Sequence, residues 1–236
     1  MQSGPNFLQQ DYTKNEGLKV RSLTTADVPS LSRLRSDVLD GLADAELYSR
    51  ETDEVGFLHA HIGETGPGET LGVFDGHELI AYGMIGFPDK ADPVGFARYI
   101  CTDPSDFART AELASCMVSA RYRGRHLQRL LLAKRIELAQ SRGRHLCVAM
   151  ASLRNHVSRH NLMREGLQIG WVGEICGLKR HLLILDLSQP RALNLGITQW
   201  VDAADWKRQQ YLVQNGWWGV DTVQSSQEGN TLVFAR

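Results

Sequence analysis

The sequence predicts an α/β (α+β) fold in which a mixed, mostly antiparallel central sheet is flanked by helices and followed by a C-terminal helix and strand extension. Three observations support this prediction. Strand-like and helix-like segments alternate along the chain, two strand-like runs meet at a tight turn, and a basic turn joins a strand to a leucine-rich helix. A chain of 236 residues can build one good-sized core and a smaller appendage.

The composition is that of an ordinary globular protein. Hydrophobic residues make up 42% of the chain and charged residues 22%, and the formal net charge is -1. This balance does not favour an obligate polyanion, so we expect no nucleic-acid partner. The first residues resemble no signal peptide, and no apolar run approaches the roughly 20 residues that span a bilayer. We therefore expect a cytoplasmic protein with no membrane partner.

The four cysteines are scattered along the chain and form no C-x-x-C pair. They are Cys101, Cys116, Cys147 and Cys176. This spacing favours buried, reduced thiols, and it predicts neither a zinc site nor another metal site.

The first third of the chain predicts a strand followed by two helices. Residues 1–16 are polar, and we expect a flexible segment there. Alternation over 18–23 predicts a strand, and helical spacing of apolar residues over 24–42 predicts a helix with Thr25 as its N-cap. A second, weaker helix is predicted over 53–63.

A hairpin and a long loop follow. Two strand-like runs over 69–87 flank Asp75 and Gly76, a dipeptide suited to a tight turn with positive φ. Residues 88–110 are rich in Asp and Pro and predict a loop of unusual length, which suggests a functional loop or a lid.

The second half of the chain predicts strands and helices in alternation up to residue 188. The strands are expected over 111–120, 144–152, 167–175 and 180–188, with a helix ending near Gln140 and another over 154–166 that ends at Gly166. Beyond Pro190, a helix is predicted within 197–219 and a strand over 230–236. The sequence shows no apparent internal repeat.

The segment after the strand at 111–120 is strongly basic. From Arg121 to Arg144 there are seven arginines and one lysine against a single acid, Glu137. One interpretation is a basic helix that lies on nucleic acid. However, much of the charge precedes the helix, and the helix itself has an apolar stripe suited to packing on a sheet.

The other interpretation is a turn that holds a pyrophosphate. Free N–H groups in the first turn of a helix point at an anion there, and the helix dipole adds favourable potential. Gly124 lets the backbone approach the anion closely, and Arg123 and Arg125 can add charge-assisted hydrogen bonds.

This turn resembles a known motif. The stretch MVSARYRGRHLQRLLL is similar to the acetyl-CoA-binding motif of the GNAT superfamily of N-acetyltransferases, (Gln or Arg)-x-x-Gly-x-(Gly or Ala). Arg123 takes the first place, His126 the central glycine and Gln128 the last small residue. The element order over 18–188 and the segment NHVSRHNLMREG also resemble that family. The resemblance implies the GNAT fold and activity.

The resemblance implies acetyl-CoA as co-substrate, with no metal. In the family, the strand before the turn exposes backbone groups to the pantetheine arm, and the turn holds the diphosphate. The implied contacts are Cys116, Met117 and Val118 for the arm, and Arg123, Gly124, Arg125, His126, Leu127, Gln128 and Arg129 for the diphosphate. Asn155 and Ser158 match further cofactor positions. His126 is either a tolerated surface substituent or a phosphate contact, and Asn155 is an N-cap, a cofactor contact or both.

The implied reaction is direct acetyl transfer from a thioester to a primary amine. It needs a base for the substrate ammonium, donors for an oxyanion and an acid for the leaving thiolate. Glu112 is the candidate general base, because many family members carry a carboxylate at that place. Strand alternation predicts Glu112, Ala114, Cys116 and Val118 on one face. The alternative is that Glu112 is only a solvent-facing strand end.

The usual acid of the family is missing. Its tyrosine lies seven residues after the helix asparagine, where this chain has Leu162. His160, Tyr122 and Tyr211 are weak substitutes, and each has a structural alternative. Catalysis through Cys116 is less attractive, since local spacing places no histidine beside it.

The acceptor is not identified, and the family's implied partners are small-molecule or peptide amines. Carboxylates in the 40–66 region and the 88–110 loop would either attract a cationic amine or be solvated loop charges. They are Asp44, Glu46, Glu51, Asp53, Glu54, Glu64, Asp89, Asp92, Asp103 and Asp106.

The extension over 190–236 is rich in tryptophan. It holds four of the five tryptophans, Trp200, Trp206, Trp217 and Trp218. Large aromatic surface seldom stays in water, so this extension is expected to pack on the acetyltransferase domain (17–189), cap the acceptor groove or contact a partner in a homodimer.

Two classes of function therefore lead. The first is an acetyl-CoA-dependent N-acetyltransferase. The second is a non-catalytic acyl-CoA-binding or regulatory module on the same fold, which the missing tyrosine and the imperfect glycine motif keep open. A nucleic-acid-binding helix is the third, and steep salt-dependent binding would indicate it.

Overall fold

The segments before residue 88 fold largely as the sequence predicts. The structure, a computed structural model, describes residues 15–48, 50–88, 95–101, 103–225 and 229–236. Most of the expected flexible segment 1–16 therefore lies outside the described residues. The first elements are β1 Lys19–Ser22, α1 Val28–Asp40, α2 Glu54–Ala60, β2 Glu69–Asp75 and β3 Glu78–Gly86. Strands β2 and β3 form the predicted hairpin, and Gly76 has a φ of +58° in its turn.

The start of α1 differs from the prediction. Thr25 is not its N-cap, because a short 3-10 turn over Thr25–Asp27 comes first. The carboxylate of Asp27 accepts a hydrogen bond from the Thr24 N–H at 2.8 Å. Thr24, one residue before the predicted position, is therefore the N-cap of this turn. Helix α1 then begins with a proline in its first turn, where the missing N–H costs nothing.

The predicted loop over 88–110 contains a helix. The elements of this half are α3 Pro104–Arg109, β4 Thr110–Val118, α4 Leu127–Ser141, β5 Leu146–Ser152, α5 His156–Arg164, β6 Gln168–Ile175 and β7 Leu178–Asp186. Helix α3 forms because Asp103 accepts a hydrogen bond from the Ser105 N–H at 2.7 Å, with a proline as the first helical residue. The Asp and Pro that suggested a loop are here a helix start. Residues 89–94 and 102 lie outside the described part.

The C-terminal extension adds a further strand, helix and strand pair. These are β8 Thr198–Asp202, α6 Trp206–Gln214, β9 Trp218–Ser225 and β10 Gly229–Ala235. Of its four tryptophans, Trp200 is 63% exposed, whereas the other three are half-buried. Trp200 therefore does not pack on the domain within one chain, and its place in the acceptor groove or in a homodimer contact stays a prediction.

One sheet of ten strands connects these elements within the described residues. Its order is β1-β2-β3-β4-β5-β7-β6-β9-β10-β8, and β4 and β5 are its parallel pair. Helices α1 and α2 pack on one face of the first strands, while α4 packs on the opposite face. Helices α5 and α6 share one apolar cluster with α4. The fold is thus a mixed, mostly antiparallel sheet flanked by helices, as predicted.

The extension shares the hydrophobic core of the preceding chain. Leu162 and Ile169 belong to the same buried cluster as Leu212 and Phe234 of the extension. Strand β9 also pairs with β6, so the sheet is continuous across the junction.

The structure shows a recurring order of elements where the sequence shows no apparent internal repeat. The order strand, helix, strand, strand of β5-α5-β6-β7 recurs in β8-α6-β9-β10. The N-caps of the two helices, Asn155 and Asp205, lie fifty residues apart, and β6 and β9 begin fifty residues apart. Few residues are identical between the copies, which is why the sequence alone does not show the repeat.

Candidate active site

The central opening of the molecule lies between β4 and β5. These strands pair from Thr110 with Leu146 to Leu113 with Ala149. Beyond that point β4 continues beside β3, and β5 continues beside β7. The β5-facing edge of β4 over 114–118 therefore faces a gap, and Cys116, Met117 and Val118 are in this gap-lining segment.

A β-bulge in β4 changes which side chains share a face. Between the pairs Gly83 with Cys116 and Ile85 with Leu113, β4 has two residues where β3 has one. The alternation therefore shifts phase. Ala114 and Met117 pack toward α1 and α2, whereas Cys116 and Val118 pack toward α4. The prediction of one face for Glu112, Ala114, Cys116 and Val118 is wrong beyond the bulge.

Arg135 of α4 holds this bulge from behind. Its guanidinium is buried and donates to the carbonyl oxygens of Met84 at 2.9 Å and Ala114 at 3.3 Å. A Cβ at Gly83 would lie 2.8 Å from Arg135 Nε, so the glycine makes room for this side chain. The basic stretch of the sequence thus contributes one buried structural arginine as well as its surface charges.

The turn before α4 presents backbone N–H groups. Gly124 and His126 have φ values of +78° and +58°. The first intrahelical bond runs from the Leu130 N–H to the His126 carbonyl. Within the described residues, no acceptor serves the N–H groups from 124 to 129. Arg123 and His126 are exposed, whereas the Leu127 side chain is 2% exposed, so Leu127 can offer a ligand only its N–H.

Side chains join the start of α4 to the start of α5. Gln128 Nε2 donates to Ser158 Oγ at 3.1 Å and Gln128 Oε1 accepts from Asn161 Nδ2 at 2.7 Å. Asn155 caps α5 by accepting a hydrogen bond from the Ser158 N–H at 3.0 Å. The structure therefore brings Gln128, Asn155 and Ser158 together.

The two other arginines named for the turn differ in their surroundings. Arg129 Nε donates to Glu165 at 2.7 Å in a largely buried ion pair, so its charge is already neutralised. The Arg125 guanidinium lies over the Tyr122 ring, 4.9 Å from its centroid. Arg129 therefore contributes to a site mainly through its N–H.

Glu112 is buried on the face toward α2. Its side chain is 9% exposed, and Oε1 accepts a hydrogen bond from the Ala97 N–H at 2.6 Å. Burial raises the pKa of Glu112 to about 7, although this hydrogen bond opposes the rise. The position is therefore not a solvent-facing strand end. A carboxyl group with such a pKa can accept and release a proton near neutral pH.

A histidine that the sequence did not single out lies beside Glu112. His61 ends α2, and its Nδ1 is 2.8 Å from the Phe57 carbonyl, so Nδ1 carries the proton and Nε2 has a free lone pair. A Cβ at Gly86 would be 3.7 Å from His61 Nε2 and 3.8 Å from Glu112 Cβ. Burial lowers the pKa of His61, which keeps it neutral. No local pattern in the sequence distinguishes this histidine from the other seven.

The candidate acids are dispersed. Leu162 is buried in the core, and no hydroxyl replaces the family's tyrosine there. Tyr122 donates its hydroxyl to Asp75 at 2.9 Å, and Tyr211 is exposed on α6, as is His160 on α5. The structure does not bring these three groups to Glu112 and His61.

The cysteines differ in exposure. Cys147 is buried and Cys101 and Cys116 are half-buried, whereas Cys176 is exposed in the turn between β6 and β7, contrary to the expectation of four buried thiols. Burial raises the pKa of Cys116 and raises that of Cys147 to about 12. These two thiols therefore stay protonated, which does not favour a covalent route.

Several of the carboxylates near the acceptor side are already bonded. Asp44 pairs with Arg154 at 2.9 Å, and Glu64 accepts from the Thr25 N–H at 2.9 Å. Glu54 binds Arg35 at 2.5 Å. Asp89 and Asp92 lie outside the described residues. Solvated or paired loop charges explain the bonded carboxylates better than attraction of an amine.

Neither a metal cluster nor a membrane helix is found in the described part of the chain. No group of three or more His, Cys, Asp or Glu side chains there could hold a metal ion. None of the helices described combines the length and the apolar character that crossing a bilayer requires.

Comparison with known proteins agrees with this geometry. The model of the acetyltransferase (GNAT) family matches residues 37–162, more than half of the chain. A search of curated proteins gives no significant match.

Several solved structures have the same fold, and nearly the whole length of each of them can be superposed on this chain. A GCN5-related N-acetyltransferase from Kribbella flavida has a TM-score of 0.58 at 19% identity and covers 73% of this chain and 99% of its own. An N-acetyltransferase from Staphylococcus aureus Mu50 has a TM-score of 0.54 at 17% identity, with 72% and 99% covered. The yncA protein of Salmonella typhimurium, solved with its cofactor acetyl-CoA, has a TM-score of 0.53 at 18% identity, with 75% and 98% covered. About a quarter of this chain has no counterpart in these structures.

Proposed function

We propose that this chain, which belongs to the acetyltransferase (GNAT) family, transfers an acetyl group from acetyl-CoA directly to a primary amine. The observation that supports the proposal is the position of the free N–H groups of residues 124–129 beside the gap between β4 and β5. Anion-binding amides and an open strand edge, side by side, suit a cofactor with a diphosphate and a pantetheine arm.

The cofactor contacts follow from this arrangement. Backbone N–H groups from Gly124 to Arg129 would hold the diphosphate, with Arg123 and Arg125 adding charge at the rim. The gap-lining backbone at Cys116, Met117 and Val118 would pair with the pantetheine arm. Asn155 and Ser158 would close the site from α5, where both also serve the helix cap.

The proton chemistry is assigned to Glu112 and His61. Acetyl-CoA, when bound, supplies the acetyl group as a reactive thioester. Glu112, with a pKa of about 7, removes the proton from the substrate ammonium, since its ionised form dominates above that pH. His61 Nε2 lies on the same side of Gly86 as Glu112 Cβ, and we assign to its lone pair the part of a second acceptor for that proton.

The alternative is a non-catalytic acyl-CoA-binding module. Leu162 favours it, because the buried leucine supplies no proton for a leaving thiolate. The hydrogen bond that occupies Glu112 also favours it, because part of the carboxylate's capacity serves the segment at Ala97. Both hypotheses share the cofactor site and differ only in turnover.

Two measurements on the purified full chain test the proposal. Calorimetry with coenzyme A and acetyl-CoA should show binding, and a free-thiol assay with acetyl-CoA and a panel of amines should show acceptor-dependent release. Binding without release for any amine supports the module instead, and no binding contradicts both.

A charge reversal at the turn localises the site. Arg123→Glu should weaken coenzyme A binding about tenfold or more, because a carboxylate beside the diphosphate repels it. Arg33→Glu, an exposed reversal on α1, is the matched control and should leave binding unchanged. Equal effects of the two variants would place the cofactor elsewhere.

A further inference from the structure

The two strand-helix-strand-strand units agree in detail as well as in order. We call β5-α5-β6-β7 the first unit and β8-α6-β9-β10 the second unit. Asn155 and Asp205 each accept a hydrogen bond from the N–H three residues later, at 3.0 Å in both units. Each helix is followed by a glycine with positive φ, +89° at Gly166 and +81° at Gly216. Equivalent residues are fifty apart throughout this stretch.

The two units are related by a local two-fold arrangement. Read outward from the junction, the strands are β6, β7, β5 on one side and β9, β10, β8 on the other. At the junction Ile169 lies opposite Gly219, its own equivalent. A residue that faces its own equivalent is the mark of a two-fold, isologous interface.

Helix packing is reciprocal across the junction. Helix α5 of the first unit contacts β9 of the second, and α6 of the second contacts β6 of the first. Trp218 would collide with a Cβ at Gly170, and Ile169 would collide with one at Gly219, so a glycine on each side lets the partner approach. The junction is therefore closely packed from both sides.

Buried polar groups follow the same relation. Arg159 and Gln209 are equivalent, and both are 0% exposed. Arg159 donates to the carbonyl of Leu153 at 2.8 Å, and Gln209 donates to that of Ala203, the equivalent of Leu153, at 3.0 Å. A shared pattern of buried hydrogen bonds is much harder to explain by chance than a shared order of elements.

We propose that the second unit is an internal copy of the first and acts as a built-in partner subunit. It covers in cis the β6 edge at which a second copy of this chain would otherwise dock, so the protein is a monomer. Only the later half of the catalytic domain is copied, since no counterpart of β4 and α4 precedes β8. The chain therefore has one cofactor site, a consequence that rests on the proposed function.

The β6 edge itself shows why it must be covered. An unpaired strand edge with an apolar core beneath it associates with other strands. Leu167, Ile169 and Val172 lie on or next to β6 and are buried in the cluster that Leu212 and Phe234 complete. Removing the second unit would expose this surface, so a truncated chain is a poor test, and a point substitution at the junction is better.

Sedimentation equilibrium of the full chain tests the proposal without any cofactor. The wild type should have the monomer mass, 26.4 kDa, from about 1 to 100 µM, a range in which a standard-sized interface would associate. Gly219→Val places a branched side chain against Ile169 and should unseat the second unit, giving a dimer or larger species through the exposed β6 edge. Val223→Thr, on the exposed side of β9, is the control and should stay monomeric.

A second variant tests the proposal without displacing the second unit. In Ile169→Cys/Gly219→Cys, made with Cys176→Ser to remove the exposed thiol, the two new thiols are opposite each other, and under oxidation they should give a disulfide within one chain, seen as a monomer on non-reducing gels. Covalent dimers would show that the second unit crosses to another chain. That result, a dimeric wild type, or a monomeric and fully stable Gly219→Val would each overturn the proposal. Coenzyme A titration counts the sites separately, so failure of the proposed function would not be confused with failure here.

Discussion

Glu112 has a structural task and a proposed chemical task, and both depend on the same carboxylate. Its carboxylate accepts the Ala97 N–H, and Gly95, with a φ of +109°, passes so close that a Cβ there would collide with it. Burial opposes ionisation, and the pKa rises to about 7. The group that anchors the segment at 95–97 is thus also one that can change its protonation near neutral pH.

This environment predicts the pH dependence of activity. Because the base must be ionised, kcat/KM should rise with pH through about 7 and then level off. Glu112→Gln keeps an acceptor for the Ala97 N–H but cannot take a proton, so it should lower kcat/KM roughly 10²- to 10⁴-fold and remove that rise. A pH–rate profile of both proteins checks this, and an unchanged profile would exclude Glu112 as the base.

The same group predicts how stability changes with pH. The folded pKa of Glu112 is about 7 and the ordinary value 4.5, so the folded state binds more protons between these values and stability falls as pH rises through this window. Relative to wild type, Glu112→Gln should therefore gain up to about 3 kcal/mol between pH 4.5 and pH 7.5. Urea unfolding of both proteins at the two pH values measures the difference. A constant difference would mean that Glu112 does not titrate in this range.

His126 explains the departure from the glycine motif in physical terms. The residue has a left-handed φ of +58°, which glycine adopts without strain and other residues adopt at a cost of about 1 kcal/mol. The chain keeps the turn because the backbone N–H, rather than a particular side chain, is what the turn presents.

We expect His126→Gly to preserve coenzyme A binding within about threefold, which corresponds to less than 1 kcal/mol. The reason is that the substitution keeps the N–H and relieves the strained φ. Calorimetry measures the affinity, and a loss of tenfold or more would show that the ring contacts phosphate. Gly124→Ala is the comparison, since its φ of +78° should make alanine destabilising by about 1 kcal/mol.

At the scale of elements, Arg135 links α4 to the bulge of β4. It donates to two carbonyls, those of Met84 and Ala114, on the strands that bound the gap. Arg135→Met would keep much of the volume and leave both carbonyls unsatisfied, so we expect a loss of about 2 to 4 kcal/mol of unfolding free energy. Coenzyme A affinity should fall as well, because the bulge sets the direction of the gap-lining backbone.

The exposed Arg33→Met on α1 is the matched control for Arg135→Met. It should change the unfolding free energy by less than about 0.5 kcal/mol. Urea unfolding measures both variants. A similar small effect at Arg135 would mean that the strands keep the bulge by themselves.

Local signals predicted most helices and strands. They did not predict the bulge that changes which β4 side chains share a face, nor the recurrence of the strand-helix-strand-strand unit. Alternation, helical spacing and the Asp75–Gly76 turn were enough for the strands, the helices and the hairpin. The bulge was not predictable, because it depends on Arg135 and Gly83, which are distant in sequence from the residues that it shifts. The Asp and Pro of 103–104 were misread because the same residues begin loops and helices.

The candidate site was predictable only where one continuous segment forms it. The turn over 123–129 has its own motif, and Glu112 lies on the strand before it. His61 could not be found, because only the fold brings the end of α2 close to Gly86 of β3, which pairs with Glu112 of β4. The internal copy stayed hidden because the N-caps, the glycines and the apolar pattern recur while nearly all other residues differ.

At the scale of the whole molecule, buried polar side chains lie between the C-terminal unit and the proposed cofactor site, joined by hydrogen bonds at both ends and by electrostatics between His181 and Arg159. Gln209 Nε2 donates to the carbonyls of Asp202 and Ala203, so its Oε1 faces His181 and accepts from its Nε2 at 2.7 Å. His181 Nδ1 then carries a lone pair with no hydrogen-bond partner among the described residues, and burial, together with the charge of nearby Arg159, lowers the pKa of His181 to about 3, so the ring stays neutral. Arg159 in turn holds the Leu153 carbonyl.

That carbonyl lies in the turn from β5 to α5, two residues before Asn155. Gln209→Leu would leave the His181 N–H and two carbonyls without their partner, which costs about 1 to 3 kcal/mol. If these buried polar side chains position the turn, the variant should also weaken coenzyme A binding about three- to tenfold, a coupling of ordinary size.

Two variants of the same helix separate this coupling from general effects. Gln214→Leu is exposed on α6 and should change neither stability nor affinity. Leu212→Ala should cost about 2 to 5 kcal/mol of stability through the cavity that it leaves, yet the Leu212 side chain makes none of these hydrogen bonds, so affinity should be unchanged below the melting range. If Leu212→Ala and Gln209→Leu weaken binding equally, the C-terminal unit supports the site only by holding the fold together. If Gln209→Leu alone does so, the turn from β5 to α5 at the proposed cofactor site is positioned from the far side of the junction.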